Sequence, residues 1–226
     1  MRNYFNKLKM FTKKKKTEVT DSREVILQTA SRLFAEKGFE AVSIRELSKE
    51  ANVNIAMIAY HFGSKEGLFK AIIGDKIPKM AAQLKTIQKS EGTAWDKISA
   101  IIDIYIERMF NNGVFNKLVF RELSLEQRPE HRETILSGVE GNWKIVKTFI
   151  EEGQKNGLFK SDIDAELTMA SLFSTIFLIV NTPCIAARMM NEKDEKIMFS
   201  ETNKTRLRQH LKSMMRAHLF INQTFN

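Results

Sequence analysis

Residues 43–62 read SIRELSKEANVNIAMIAYHF, and this short stretch decides the fold. Ser43 and Glu46 have the spacing of a capping box, which predicts the first turn of a short helix. Asn52 follows at a position that needs a left-handed residue, for which Asn is the best choice after Gly. Asn54 can then cap a second short helix. Two helices of about eight residues joined by a tight turn form a helix-turn-helix, whose second helix can enter a DNA major groove.

The flanking residues complete a small helical domain around this motif. Upstream, Asp21 and Glu24 have the same capping-box spacing, and apolar residues then recur at steps of three and four up to Gly38. Downstream, Gly63 is placed to end the second helix of the motif. We therefore predict three helices that pack as a helix-turn-helix domain over residues 21–69.

Two segments carry a resemblance to a known family. Residues 33–47 read LFAEKGFEAVSIREL, and residues 51–69 read ANVNIAMIAYHFGSKEGLF. Together they resemble the N-terminal signature of the TetR/AcrR family of bacterial transcriptional regulators. The resemblance covers residues 22 to about 70. It implies about nine helices, an effector pocket enclosed by helices four to eight, and dimerisation through the last two helices. Ala59 departs from the pattern, since the family commonly places there a tyrosine that reaches a backbone phosphate.

The resemblance also implies which residues contact DNA. Base contacts fall to the start of the second helix of the motif and to Arg45, which could reach O6 and N7 of guanine. Phosphate contacts fall to side chains around them and to the N–H groups that open the following helix. His61 has an equal alternative as a packed histidine at the end of its helix. The predicted DNA-binding residues are Ser43, Arg45, Asn54, Ala56, Met57, Tyr60, His61 and Lys65.

Helical periodicity continues through the rest of the chain, which only ten Gly and three Pro interrupt. The eighth predicted helix is apolar on nearly all sides, which favours burial against a second copy of the chain. Pro183 should kink or break this helix. Cys184 is expected to be buried near the interface, and a redox sensor is the alternative for it. The predicted helices beyond the motif are Lys65–Lys89, Thr93–Phe110, Phe115–Glu126, Pro129 to Gln154 or Lys155, Asp164–Met190 and Thr202–Asn222.

These patterns predict an all-α fold with about nine helices. Residues 1–20 form a basic N-terminal tail, residues 21–69 the helix-turn-helix DNA-binding domain, and residues 70–226 a larger effector-binding and dimerisation domain. Many aromatic and Met side chains lie in the larger domain, and a mostly apolar wall suits a lipophilic ligand. Ordinary core packing is the alternative for each of them. The candidate ligand-binding residues are Tyr105, Met109, Phe120, Arg121, Trp143, Phe173, Ser174 and Phe177.

The charge of the chain points to a polyanionic partner. Lys and Arg number 36 against 27 Asp and Glu, a net charge of +9. Residues 1–70 hold 14 basic against 8 acidic side chains, and the first 16 residues hold seven basic groups and no acidic one. Nucleic acid is the first candidate partner and an anionic membrane the second. The sequence contains no run of 18 apolar residues, so we expect no membrane span. The single cysteine fits a reducing cytoplasm.

The leading hypothesis is a homodimeric repressor that binds a pseudo-palindromic double-stranded DNA operator and is released by a small hydrophobic effector. The alternative is an architectural or constitutive DNA-binding protein of the same fold with no effector. No catalytic triad, phosphate loop or metal-ligand spacing occurs in the sequence, so we expect no enzyme, metal or cofactor. Membrane-surface binding through the basic tail is a further alternative, although we expect a cytoplasmic protein without a membrane partner.

Overall fold

The computed structural model describes residues 22–125 and 127–220, so the predicted basic tail and the capping residue Asp21 lie outside the described residues. Within those ranges the chain forms ten α-helices, one 3₁₀-helix (Glu195–Phe199) and no strand, which confirms the all-α prediction. The α-helices are α1 (22–37), α2 (Ile44–Glu50), α3 (Ile55–Phe62), α4 (Lys65–Lys89), α5 (Ala94–Asn111), α6 (Gly113–Leu123), α7 (Pro129–Lys155), α8 (Ala165–Asn181), α9 (Pro183–Met189) and α10 (Glu201–Leu219).

Local sequence signals set the ends of the first helices. α1 ends before Gly38, whose φ of 92° is one that a residue with a side chain rarely adopts. The Ser43 hydroxyl accepts the N–H of Glu46 at the start of α2, as predicted. The Glu46 carboxylate also pairs with Lys37. Asn52 has the predicted left-handed conformation, with a φ of 51°.

The next two helices begin at the predicted capping residues. Asn54 Oδ1 accepts the N–H of Ala56 at the start of α3, and Ser64 Oγ accepts the N–H of Gly67 at the start of α4. Both helices have the bounds expected from the sequence, and Pro78 lies inside α4 without ending it. Short-range hydrogen bonds therefore fix this part of the chain, which is why the sequence predicts it well.

The apolar core beneath the helix-turn-helix continues beyond residue 69. We call residues 22–62 the head. Its fully buried side chains include Phe34 and Leu47, and the same cluster takes in isoleucines of α4 together with Leu118 of α6 and Ile135 of α7. Side chains from helices that are distant in the sequence therefore complete the apolar core of the head.

The remaining helices share a second core, formed mainly by apolar side chains of α5, α7, α8, α9 and α10. Thr93 and Asp96 form a complete capping box at the start of α5. Pro129 occupies the first turn of α7, where its missing N–H costs no hydrogen bond. Ion pairs join the outer faces of α5 and α10, among them Lys212 Nζ to Asp103 Oδ2 at 2.7 Å.

Pro183 accounts for the difference between ten observed helices and the nine expected. α8 ends at Asn181, and α9 begins with Pro183 as its first residue. The single helix expected up to Met190 is therefore wrong, because a proline cannot donate the N–H that would continue it. By length and composition no single described helix could cross a membrane; α8 and α9 meet those criteria only as a pair, and that pair is bent by 105°.

Two segments predicted to be buried against a second copy are exposed in the single chain, and their burial in a dimer stays a prediction. Cys184 is exposed in the single chain, because α9 turns Ala186 and Ala187 inward and Cys184 lies on another face. α8 is likewise open on one side in the single chain. It buries residues such as Leu172 in the second core, but it leaves Leu167 66% exposed at its first turns. The outward face of α8 is thus apolar and uncovered in the single chain.

Candidate DNA-binding surface and internal cavity

α3 presents a small, uncharged surface to solvent. Tyr60 is 75% exposed, and Asn54 and Ala56 are exposed at the first turn of the helix. Met57 is half-buried and packs against the core of the head, while Ile58 is fully buried and anchors the helix. The predicted base-reading residues therefore include three that are open to a partner and one, Met57, that is only partly available.

Positive charge reaches this surface from α2, where Arg45 is exposed and forms no ion pair with any described residue. Acidic side chains on the same helix are paired instead. Glu46 Oε1 lies 2.6 Å from Lys37 Nζ, and Glu50 Oε2 lies 2.9 Å from Arg32 Nη2. The hydrogen bond from Lys37 lowers the pKa of Glu46, which stays ionised beside its partner. The carboxylates of α2 are thus compensated, and the charge of Arg45 is not.

Three other predicted DNA contacts already have partners within the protein. Ser43 Oγ caps α2. His61 Nε2 lies 3.3 Å from Ser22 Oγ, which supports its alternative as a packed histidine. Lys65 Nζ lies 4.3 Å from the centroid of the Phe39 ring, so the half-buried lysine leans back over the head. A phosphate contact by any of the three stays a prediction.

A partly open cavity of about 420 Å³ lies among α4, α5, α6, α7 and α8. Its wall is mostly aliphatic and aromatic, and no charged residue or histidine of the described chain lines it. The volume of the cavity and the apolar character of its wall are typical of small-molecule sites, which span roughly 300–1,000 Å³. Six of the eight predicted ligand-binding residues line the cavity: Tyr105, Met109, Trp143, Phe173, Ser174 and Phe177.

Phe120 and Arg121 line a different groove of about 780 Å³, beside the break between α8 and α9. α6 turns by about 100° per residue, so the next two side chains point away from the cavity that Val119 lines. The Phe120 ring packs against Phe177 with centroids 5.3 Å apart. Arg121 Nη2 donates to the Lys37 carbonyl at 3.3 Å, which ties it to the end of α1. Neither residue shares the cavity with the other six.

Polar groups in the cavity wall differ in whether they have partners. Asn116 Nδ2 donates to the Met109 carbonyl at 2.5 Å. Tyr105 Oη and Asn142 Oδ1 are buried and have no hydrogen-bond partner among the described residues. Burial raises the pKa of Tyr105, so its phenol stays neutral. The residues of the wall therefore combine a large apolar area with two buried polar atoms that lack partners among the described residues.

Part of the cavity wall also belongs to the core of the head. Ile77 of α4 and Ile135 of α7 are buried in that core and line the cavity as well. Val119 and Leu123 of α6 pack against the same core from partly buried positions, and they too line the cavity. A ligand that displaced these side chains would therefore disturb the packing of the head directly.

Sequence reasoning missed a buried charged cluster beneath the head, which we call the Glu122 cluster. Glu122 is 0% exposed and accepts hydrogen bonds from Arg128 Nε at 2.9 Å and Nη2 at 3.0 Å. Glu122 Oε2 also lies 2.8 Å from His131 Nδ1, and the His131 ring stacks on Phe69 at 3.9 Å. The available signal was an acidic residue four positions after Leu118, hence on the buried face of α6.

The Glu122 cluster holds its charges in spite of burial. Burial by itself raises the pKa of Glu122, but hydrogen bonds from Arg128 and His131 outweigh that effect, and the pKa is lowered overall. The hydrogen bond to Glu122 raises the pKa of Arg128 in turn. The two groups form a buried ion pair at neutral pH. Neither here nor elsewhere in residues 22–125 and 127–220 do three or more His, Cys, Asp or Glu residues form a group that could hold a metal ion.

The outer faces of α8 and α10 meet at a shallow cavity of about 280 Å³. Leu167 and Ser171 line it from α8, and Met214 and His218 line it from α10. His218 Nε2 lies 2.9 Å from Thr168 Oγ1, which holds the two helices in register. These are the helices through which dimerisation was predicted, and that interface stays a prediction.

Two family models match this chain. The model described as "Bacterial regulatory proteins, tetR family" matches residues 26–72. The model described as "YsiA-like protein, C-terminal region" matches residues 69–207, which is more than half of the chain. The first match spans the head, and the second spans the helices that line the cavity.

Individual relatives are more distant. "Probable HTH-type transcriptional regulator YttP" of Bacillus subtilis is 28% identical over 137 residues, which cover 59% of this chain and 65% of that protein. "HTH-type transcriptional repressor NicS" of Pseudomonas putida is 30% identical over 161 residues, which cover 67% of this chain and 73% of that protein. The solved structure of the regulator FadR from Bacillus subtilis in complex with stearoyl-CoA has a TM-score of 0.65 and 21% identity, covering 84% of this chain and 97% of that one.

Proposed function

Because the chain belongs to the TetR family of bacterial regulatory proteins, we propose that it is a homodimeric transcriptional repressor that a small lipophilic effector releases from its operator. One observation carries the effector part of this proposal: the cavity and the core of the head share Ile77 and Ile135. A ligand in the cavity therefore has a direct mechanical route to the DNA-binding surface.

The route runs through α4 and α6. Filling the cavity would shift Ile77, which lies on the same helix as Phe69 in the core of the head. It would also shift Leu123, the neighbour of Glu122. A small displacement of either helix would change the angle at which the head meets DNA, and in a dimer it would change the spacing of two heads. The effector needs only to bind the released arrangement better than the DNA-bound one.

The chemistry of the wall favours a lipophilic effector. It is mostly apolar, and a ligand with an apolar body gains from burying that body there. FadR, which has the same fold, was solved with stearoyl-CoA bound, a molecule with a long apolar chain. Phe120 and Arg121 lie outside the cavity, so we assign the effector to the six other predicted residues.

For DNA, we propose that α3 enters the major groove. Asn54, Ala56 and Tyr60 supply its exposed surface, with Met57 at its inner edge. Arg45 supplies the charge that α3 lacks. Ser43, His61 and Lys65 would contact phosphates, which requires Lys65 to leave the Phe39 ring. A dimer formed through α8 and α10 would present two such heads to a pseudo-palindromic site.

Footprinting on the upstream region of the protein's own gene tests the proposal. We expect protection of a pseudo-palindromic site that is lost when a lipophilic compound is added, together with a rise in the thermal midpoint of the free protein caused by the same compound. Protection that no compound removes, with no thermal response, would favour the constitutive DNA-binding alternative. No sequence-specific protection at all would contradict the proposal.

Replacing Arg45 tests how the head reads sequence. In Arg45→Ala we expect discrimination at one base pair of each half-site to fall by about 1–3 kcal/mol, because a bidentate contact to guanine is lost. Lys49→Ala is the matched control, since Lys49 is an exposed cation one turn further along α2. Lys49→Ala should weaken binding to all operator variants alike, or leave it unchanged. The measurement is operator binding across single-base variants of the site, and uniform weakening by Arg45→Ala would argue against base reading.

A further inference from the structure

α4 is weakened at one point along its length. Pro78 has no N–H, so the carbonyl of Gly74, four residues earlier, lacks its helical hydrogen bond. Gly74 is itself a weak helix former, and a Cβ atom at this position would have no described atom within 4 Å. Both residues lie on the exposed side of the helix. α4, which links the head to the cavity, can therefore bend most easily over residues 74–78, which we call the hinge.

Arg108 of α5 bridges the hinge. Its Nη2 donates to the Lys76 carbonyl at 2.8 Å, and its Nη1 donates to Gln83 Oε1 at 2.8 Å. One partner precedes Pro78 in α4 and the other follows it. Both partners are uncharged, and burial lowers the pKa of Arg108, so the guanidinium loses part of its hydration for neutral partners. An arginine that served solubility alone would stay in water, whereas this one fixes the angle of α4 about Pro78.

The opposite side of α4 rests on α7 at the same level. Ile77, next to Pro78, is buried, and a Cβ atom at Gly138 of α7 would lie 2.9 Å from Ile77 Cδ1. The lack of a side chain at Gly138 thus lets Ile77 lie against the α7 backbone. Ile77 also lines the cavity, as does Met109, the neighbour of Arg108 on α5. A molecule that filled the cavity would therefore contact both helices that Arg108 joins.

We propose that Arg108 is a positioning residue that holds the hinge of α4 at the angle that binds DNA, and that the effector acts by separating α4 from α5 and breaking the two bonds of Arg108. We call these two bonds the latch. The inference rests on the proposed function, because it takes the cavity as the effector site. It goes further in placing the movement at one point of α4 and in naming the contact that resists it. Part of the binding free energy of the effector is then used to break the latch.

Arg108→Met tests the latch without any ligand. Methionine keeps an apolar stem and removes both donors. We expect the amides of α4 within residues 75–84 to exchange hydrogen roughly tenfold faster in the full-length variant, the change that one or two lost hydrogen bonds would cause. Arg216→Met is the matched control, since the Arg216 guanidinium lies over the Trp95 ring instead, 5.2 Å from its centroid. Unchanged exchange of the α4 amides in Arg108→Met would overturn the proposal.

Operator binding tests whether the latch matters for release. Because loss of the latch should mimic the effector, we expect Arg108→Met alone to bind the operator as weakly as the wild type does with a saturating neutral apolar probe, decane or biphenyl. The same probe should then weaken Arg108→Met less than it weakens the wild type. Gln83→Leu keeps the charge of Arg108 and removes only one bond, so it should lower the affinity by a smaller factor. Wild-type operator affinity in Arg108→Met would overturn the proposal.

Two glycine substitutions test the hinge itself. Gly74 of α4 and Gly141 of α7 both lie exposed inside a helix, and a Cβ atom at either position would have no described atom within 4 Å. Alanine should therefore raise the thermal midpoint by roughly 1–4 °C in both variants. Only Gly74→Ala should stiffen the hinge, so we expect the probe to release the operator several-fold less effectively from this variant than from Gly141→Ala. Equal release from the two variants would contradict a hinge at residues 74–78.

These results separate the inference from the proposed function. If the probe releases the operator equally well from the wild type, Arg108→Met and Gly74→Ala, the effector-responsive repressor is upheld and the latch is not. If Arg108→Met speeds exchange in α4 and weakens operator binding, yet no lipophilic compound releases the operator from the wild type, the latch is upheld and the effector-responsive repressor is not.

Discussion

Glu122→Leu is expected to lower the free energy of unfolding by about 3–5 kcal/mol, the cost of leaving one partner of a buried ion pair alone. The Arg128 guanidinium is buried and directs both Nε and Nη2 at the Glu122 carboxylate. Leucine fills the space but offers no acceptor, so the guanidinium loses its buried counter-charge and keeps only the exposed Glu40 as an acidic partner. His131 Nδ1 loses its partner as well. Urea denaturation of the full-length protein, followed by circular dichroism, measures the effect.

Glu40→Gln is the matched control, because Glu40 binds the same guanidinium from the surface. Its Oε1 lies 3.3 Å from Arg128 Nη1, and its side chain is 72% exposed. Exposed pairs contribute about 0–1 kcal/mol, so this variant should lose little stability. Adding Arg128→Met to Glu122→Leu should recover much of the loss by removing the orphaned charge. Similar losses in the two single variants would contradict our account of the cluster.

The stability difference between the wild type and Glu122→Leu should depend on pH, and the sign of that dependence follows from the direction of the pKa shift of Glu122. Because the pKa of Glu122 is lowered in the folded state, the carboxylate stabilises the fold at pH values above its unfolded pKa of about 4.3. That contribution is lost as pH falls through the lower folded pKa. The stability difference between the wild type and Glu122→Leu should therefore be largest near neutral pH and shrink below about pH 4. A difference that stays constant from neutral pH down to pH 3 would show that folding does not lower the pKa of this carboxyl.

The position of the Glu122 cluster gives this stability a functional meaning. Glu122 and Arg128 lie around the α6–α7 connection, while His131 packs against Phe39 of the head and Phe69 of α4. The cluster thus joins the two parts of the chain at the place where the cavity wall meets the head core. Rigid, charged packing at this point would transmit a movement of α6 or α7 to the head instead of absorbing it.

Elements that depend on local signals could be predicted from the sequence. α3 and α4 have their expected bounds because Asn54 and Ser64 cap their own helices through bonds to residues two or three positions away. Pro129 begins α7 for an equally local reason. The left-handed Asn52 follows from the turn chemistry of one residue. Such features need no knowledge of the rest of the chain.

Features that depend on tertiary contacts could not be predicted in the same way. Arg128 and His131, the partners of Glu122, come after the end of α6 and a turn. No local sequence pattern specifies the path of that turn. From residue type alone, Phe120 and Arg121 were predicted to bind the ligand together with the cavity residues. The rotation of successive side chains around α6 directs them into another groove. Cys184 is exposed because the break at Pro183 re-orients α9, which changes the face that residue 184 occupies. Glu122 was not noticed at all, whereas for Phe120 and Arg121 the residue type was noticed and the direction of the side chain decided the outcome.

Leu167→Glu is expected to convert the proposed dimer to a monomer and to lower operator affinity by roughly 100-fold or more, because each head would then bind its half-site alone. Leu167 is exposed in the single chain, on the outer face that α8 forms with α10. A carboxylate there costs little in a monomer but would be desolvated without a partner in the proposed four-helix interface. Sedimentation velocity gives the oligomeric state, and titration with the palindromic site gives the affinity.

Leu158→Glu provides the matched control for the interface. Leu158 is 53% exposed, follows α7 and does not line the shallow cavity between α8 and α10. Both variants should unfold at the wild-type urea concentration once the contribution of the dimer is removed, because neither side chain belongs to the core. Only Leu167→Glu should dissociate. A dimer that survives Leu167→Glu with unchanged operator affinity would mean that another surface joins the two copies, and the exposed apolar residues Ile185 and Met189 of α9 would be the next to test.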